Sequence, residues 1–197
     1  MTNDLKRCAW VDMKKPYYVA YHDEEWGVPV YDDTKHFEML SLEGFQAGLS
    51  WDTILKKRDG FREAFKNFDP KIVATLSDSY LEKLMDNARI VRHRNKIWSV
   101  HRNAQAFLEI QKKFQSFNTF IWSKIGGKQI VNKWDQADQA PAKTELSTEI
   151  SKCLKGYGMQ FVGPVTVYSY LQAVGLLNDH TTDCFRQQEC LKTDAIF

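Results

Sequence analysis

Two groups of residues in this 197-residue chain have the types and spacing for chemistry. The first centres on Glu43, inside the run Met39-Leu40-Ser41-Leu42-Glu43-Gly44-Phe45. Apolar positions cover most of the circumference of that helix, so it should be buried. A buried carboxylate is costly unless something partners it. Glu43 therefore either reaches water at a rim or sits in an apolar pocket, where it can accept hydrogen bonds and stabilise positive charge. Rings for such a pocket are at hand. Trp10, Tyr17, Tyr18, Tyr21 and Trp26 crowd the first 26 residues, and Trp51 follows the Glu43 helix. Rings this dense usually form core, but so short a segment does not make a core alone. Laid against the rest of the chain it would line a cleft, where flat rings stack on a flat base and attract a cationic one.

The second group is metal-like. His180 and Cys184 lie one helical turn apart, and Cys8 and His22 stand at the other end of the chain. Two cysteines and two histidines can close a tetrahedral structural zinc site. By spacing alone, unrelated buried thiols and surface histidines are the simpler reading. The remaining cysteines are Cys153 and Cys190; in a cytoplasmic chain all four are expected as thiols or ligands rather than disulfides.

The elements that must position these residues read as helices joined by short loops. Asp32 and Asp33 can cap a helix through Glu43 that ends at Gly48. Short helices are expected over 51–57 and 62–67, then after Asp69-Pro70 and after Ser77. Residues 94–112 read as a long amphipathic helix, and Ser116 opens another. From Gly126 to Lys143 the pattern is weakest, a turn, a short extended piece and polar loop. Thr144-Glu145 opens a helix that leads into Gly156-Tyr-Gly-Met-Gln-Phe-Val-Gly163, and Pro164 sits at the first-turn position of the next helix. Free backbone N–H groups at such a start bind a phosphate, although a plain helical hairpin fits the spacing nearly as well. Beyond Arg186 no pattern is readable, and disorder is expected.

Composition narrows the class. Aromatic residues make up 13%, which excludes a disordered chain. No apolar run approaches the roughly 20 residues of a membrane span, and residues 1–10 lack a secretory leader. A cytoplasmic protein is the expectation. The net charge of +2 is uninformative, but basic residues concentrate between Trp51 and Gln115. These include Lys56, Lys57, Arg58, Arg62, Arg89, Arg92, Arg94, Lys96 and Arg102. Solvated helix faces explain them more simply than a phosphate-facing surface.

Taken together the chain resembles the DNA-3-methyladenine glycosylase I family, of the helix-hairpin-helix glycosylases. The resemblance spans Cys8 to Cys184. Its landmarks are Cys8-Ala9-Trp10, Tyr21-His22-Asp23-Glu24-Glu25-Trp26-Gly27-Val28-Pro29, the run from Phe37 to Trp51, Arg92-His93-Arg94-Asn95-Lys96, Phe161-Val162-Gly163-Pro164 and Gly175-Leu176-Leu177-Asn178-Asp179-His180. The run from Leu42 to Trp51 is the most specific.

The resemblance implies an all-α helix-hairpin-helix fold acting as one catalytic unit over 1–197. Residues 144–175 would form the hairpin. The segments 1–31 and 176–197 would be tied by one structural zinc on Cys8, His22, His180 and Cys184. It implies a monomeric, monofunctional enzyme that flips 3-methyladenine out of alkylated double-stranded DNA and hydrolyses its N-glycosidic bond, the first step of base excision repair. Free 3-methyladenine would be the product ligand. Glu43 would be the catalytic carboxylate, with Trp10, Tyr18, Tyr21, Trp26 and Trp51 around the base. Gly48, Leu49 and Gly163 would contact DNA. Asp179 is expected to orient its neighbour His180, and Cys190 to be a competing thiol. The rival readings are a broader alkyl-purine specificity and a non-catalytic DNA-binding module.

Overall fold

The structure is a computed structural model that describes residues 5–192. It is predominantly helical. The N-terminal stretch forms α1 (Pro16–Ala20), which runs directly into a π-helical turn at Tyr21–Glu25, where Trp26 N–H bonds the Tyr21 carbonyl. Such turns concentrate at functional sites.

The central element is α2 (Asp33–Gln46). Asp32 caps it by accepting from Lys35 N, and every residue from His36 to Phe45 is buried. Short helices follow: α3 (Trp51–Lys56), α4 (Arg58–Ala64), α5 (Pro70–Val73) and α6 (Asp78–Lys83). The expected start of α4 near Arg62 is corrected to Arg58. The helix runs through Gly60, where an added Cβ would lie 2.4 Å from the Arg89 carbonyl oxygen. That glycine is an approach point for another segment, not a helix break. The helix also ends earlier than expected, in a left-handed turn over Lys66, Asn67 and Phe68.

The amphipathic α7 (Arg94–Phe114) packs against α2, and α8 (Phe117–Ser123) follows it. Asp33 accepts from Phe117 N and Asn118 N at 2.8 and 2.7 Å, tying the start of α8 to the start of α2. A helical hairpin, α9 (Glu145–Gly156) and α10 (Pro164–Ala173), lays α10 on α2. Thr144 and Ser147 form a reciprocal cap at the start of α9. The hairpin connection is anchored from within by Ser151 Oγ donating to the Val162 carbonyl and from outside by Asn103. The Asn103 side chain donates to the Gln160 carbonyl at 2.9 Å and accepts from Gln160 N at 2.8 Å.

One departure from a purely helical fold is a small parallel pair, β1 (Ile130–Val131) with β2 (Leu177–Asn178), in register Ile130 with Leu177. It brings the weakly patterned loop after α8 beside the C-terminal segment. The terminal segments meet through backbone bonds, from Phe185 N to the Lys6 carbonyl and from Val30 N to the Val174 carbonyl. The disorder expected beyond Arg186 is corrected too. Phe185–Glu189 is helical (α11), a tight turn follows at Cys190–Lys192, and Cys190 is buried. Residues 193–197 of the expected tail, and residues 1–4 of the N-terminal segment, lie outside the described residues.

A candidate base-binding cavity beside a buried metal-ligand cluster

The π-helical turn, α2, α3 and α10 enclose a cavity of about 250 Å³. Trp10, Tyr18, Tyr21, Trp26 and Trp51 line it, together with Glu43. Of the rings singled out from the sequence only Tyr17 stands apart; it is exposed and donates to Asp52 at 2.7 Å. The lining rings brace one another, edge to face around Trp10 and tilted between Tyr21 and Trp51. Trp10 lies 5.0 Å from Trp26 and 5.7 Å from Tyr18, and Tyr21 lies 5.2 Å from Trp51.

Glu43 is 4% exposed. Among the described residues no protein group donates a hydrogen bond to it, and burial pushes its carboxyl up to about 8. A carboxylate in that position lacks a counter-charge, and the open side is the cavity. Gln46, one turn further along α2, lines the same wall. Its side chain donates to the Leu49 carbonyl at 2.9 Å. Leu49 N in turn donates to the Gln46 carbonyl, and Gly48 takes φ +81, so residues 46–49 form a tight turn that requires a left-handed third position. Lys96 secures the turn from α7 by donating to the carbonyls of Phe45 (2.9 Å) and Ala47 (2.6 Å). Leu49 itself is exposed.

The π-helical turn is held on α2 by a buried guanidinium. Arg58 donates to both oxygens of Glu25 at 2.7 and 2.8 Å and to Glu38 at 2.8 Å. Burial opposes ionisation of Glu25, but Arg58 outweighs it and holds the carboxyl down at about 2. Two of the basic residues counted in the middle of the chain, Arg58 and Lys96, are therefore internal fasteners.

Several residues of the cavity were not legible beforehand. Ser169 and Gln172 project from α10, and Ala137 and Ala140 arrive on the loop after β1. The fifth is Asp179, and here the sequence-based expectation is corrected. Its carboxylate does not orient His180. It faces the cavity and accepts from Tyr168 Oη at 2.5 Å, Gln172 Nε2 at 2.7 Å and Asn132 Nδ2 at 2.6 Å. Asp179 and His180 continue from β2, and successive residues of an extended chain point to opposite sides.

His180 points instead into a cluster with Cys8, His22 and Cys184. All four are buried, and their ligand atoms lie within 4.8 Å of one another. Cys8 Sγ lies 3.5 Å from His180 Nδ1, and Cys184 Sγ lies 3.5 Å from His22 Nε2 and 3.4 Å from His180 Nδ1. Metal–sulfur and metal–nitrogen bonds of about 2.3 and 2.0–2.1 Å in a tetrahedron place such atoms about 3.5 Å apart. The far ring nitrogens are also bound: His22 Nδ1 pairs with Asp23 at 2.7 Å, and His180 Nε2 with the Trp26 carbonyl at 2.9 Å. That arrangement fixes both rings for ligation. The donor set fits a metal ion, and Cys190 is not part of it. The cluster also touches the cavity wall, since the His22 ring packs on Trp10 and the His180 ring on Trp26.

The candidate DNA contacts lie outside this cavity. Gly163 precedes α10 as its N-terminal cap, and Gly48 and Leu49 form the turn after α2.

Comparison with known proteins identifies the class. The sequence profile of the methyladenine glycosylase family matches residues 10–187, and the chain belongs to that family. It is 45% identical to the DNA-3-methyladenine glycosylase of Haemophilus influenzae over 178 residues, covering 90% of this chain and 96% of the relative. It is 44% identical to DNA-3-methyladenine glycosylase 1 of Escherichia coli, covering 91% and 96%. A crystal structure of a 3-methyladenine DNA glycosylase I in complex with 3-methyladenine superimposes with a TM-score of 0.89 at 40% identity, covering 92% of this chain and 97% of that one.

Proposed function

We propose that this protein is a monofunctional DNA-3-methyladenine glycosylase, releasing the methylated base from alkylated duplex DNA in the first step of base excision repair. The observation that carries the reading is the Glu43 carboxylate, buried without a protein donor at the wall of a ring-lined cavity. Methylation at N3 gives the adenine a positive charge. The cation supplies what Glu43 lacks, and ring faces favour it over a neutral base. Normal adenine brings no charge to offset the burial of the carboxylate, so charge separates damaged from normal bases.

The reaction follows from the same charge. The base is inaccessible in the stack, so its nucleotide must turn out. Trp10, Tyr18, Tyr21, Trp26 and Trp51 then hold the base, with Glu43 as the catalytic carboxylate that reads it. The bond from the sugar carbon to the base breaks, and its electron pair neutralises the departing purine. Water bonds to that carbon and loses a proton, leaving an abasic site. Much of the activation lies in the substrate, and the cavity need only select the cation and favour its departure. Asp179 adds a second carboxylate to the wall, fixed by three donors.

In this reading α9 and α10 are the helix-hairpin-helix element, with the backbone at Gly163 on a phosphate. Gly48 and Leu49 meet the gap left by the flipped nucleotide. The metal would be a single structural zinc on Cys8, His22, His180 and Cys184, with no part in the reaction step because four protein ligands leave no open position. The enzyme would act as a cytoplasmic monomer; no helix among the described residues is long and apolar enough to cross a membrane.

The test is product analysis. Methylated duplex DNA incubated with the protein should release 3-methyladenine and accumulate abasic sites without strand cleavage. Release of 7-methylguanine at a comparable rate would point to the broader alkyl-purine specificity, and DNA binding without any base release would point to a binding module.

A further inference from the structure

We propose that a groove between the first turns of α7 and the hairpin connection is a second DNA contact, taking the phosphodiester backbone outside the base cavity. This rests on the glycosylase reading above and extends it. The groove encloses about 570 Å³ and is walled by Arg94, Asn95, Trp98, Arg102, Gln160 and Phe161. Two guanidinium groups and two amides line it, and no carboxylate does. That is the wall of an anion site.

The groove is preformed on both sides. Arg94, Asn95, Trp98 and Arg102 share one face of α7, opposite the buried Ile97, Val100 and Ala104. The Arg94 guanidinium carbon lies over the Trp98 ring, 4.2 Å from its centroid, and the guanidinium donates to Glu82 at 2.7 Å. The opposite wall is the hairpin connection, clamped to α7 through Asn103. Phe161 holds a left-handed backbone there, φ +55, which is unusual for a side chain of that size.

Arg102 is the informative residue. Several other cations of the basic middle segment are spent within the protein. Arg58 and Arg62 bind Glu38, Arg89 binds Glu63, and Lys57 donates to the Ala88 carbonyl. Among the described residues Arg102 has no ion-pair partner, and its one polar contact is Gln160 Oε1 at 3.5 Å. It is exposed at the groove wall.

A continuous polyanion is the occupant that this wall fits. The groove shares Gln160 and Phe161 with the hairpin connection, and Lys96 joins the same region to the turn after α2. Lys96 holds the carbonyls of Phe45 and Ala47 while its ammonium lies 5.8 Å from the Phe161 ring. A strand gripped at α10 and met by Leu49 would pass these side chains.

The experiment measures binding of the full chain to a duplex carrying a stable abasic-site analogue, at salt concentrations from about 50 to 200 mM. One phosphate contact contributes a slope of about −0.9 in log K against log salt, or roughly threefold in affinity over that range. Arg102→Gln should weaken binding and make the slope shallower by about that amount. Arg102→Lys should keep the slope, and Arg94→Gln should make it shallower by about the same amount as Arg102→Gln. Affinity for free 3-methyladenine should stay unchanged in Arg102→Gln, which also reports that the variant is folded. Wild-type affinity and slope in both glutamine variants, with base release intact in the wild type, would overturn the groove and leave the glycosylase reading standing. A wild-type protein that neither binds the duplex nor releases base would overturn both.

Discussion

Glu43→Gln should separate recognition from stability. Burial lifts the Glu43 carboxyl from its ordinary value of 4.5 to about 8. With its folded value above its unfolded one, the native protein holds a proton that the unfolded chain gives up, so stability is full below about 4.5 and falls as pH rises towards 8. The whole gap corresponds to roughly 5 kcal/mol, and about 3 kcal/mol of that is already lost at pH 7. A glutamine of the same shape carries no such burden. Urea unfolding at pH 5, 7 and 8 should therefore show the variant gaining on the wild type as pH rises, by up to about 3 kcal/mol at pH 7. Base release should move the other way. Loss of a charged hydrogen-bonding partner is worth about 2 kcal/mol, or roughly 30-fold in excision of 3-methyladenine. A stability difference that does not change with pH would show that Glu43 is not a strained buried carboxyl, and a variant that excises normally would remove it from base recognition.

Three further outcomes follow from the same geometry. Metal analysis should find one zinc per chain, and chelation or Cys184→Ser should lower the melting temperature sharply and loosen the cavity, because His22 and His180 brace Trp10 and Trp26; metal-free protein with unaltered melting would contradict this. Trp51→Ala should weaken binding of free 3-methyladenine by about 1–3 kcal/mol, read by fluorescence titration, with little change in the unfolding midpoint if stacking on the base is its role. Arg58→Ala should destabilise the fold by about 3–5 kcal/mol, since Glu38 and Glu25 lose their shared partner. The Arg58–Glu25 contribution is present above the ordinary carboxylate value and is lost as pH falls towards about 2, so the variant's deficit should shrink in acid.

What could be read from the sequence was mostly local. Asp32, Asp69, Ser77, Ser116 and Thr144 each cap the helix they precede, because a side-chain oxygen satisfies backbone donors two or three residues on. The burial of α2 was legible from its apolar circumference. The lining rings and the Cys8–His22–His180–Cys184 set entered through family resemblance, since spacing alone left both open. The rest depended on long-range contacts. Gly60 resembles a helix break until the Arg89 backbone is seen against it. Ala137 and Ala140 reach the cavity on a loop positioned by the pairing of β1 with β2, which their own polar surroundings do not signal. For Asp179, adjacency in sequence suggests a shared task with His180 that the backbone does not allow. Extended backbone sends the two side chains to opposite sides, one to the cavity and one to the metal ligands.

A crystal structure of this protein with 3-methyladenine bound would decide whether Glu43 reads the base. The purine should lie between the rings of the cavity, with a Glu43 oxygen at hydrogen-bonding distance, about 2.7–3.2 Å, from one of its nitrogens. A base bound elsewhere, or held in the cavity with Glu43 turned away from it, would show that this carboxylate does not recognise the methylated purine.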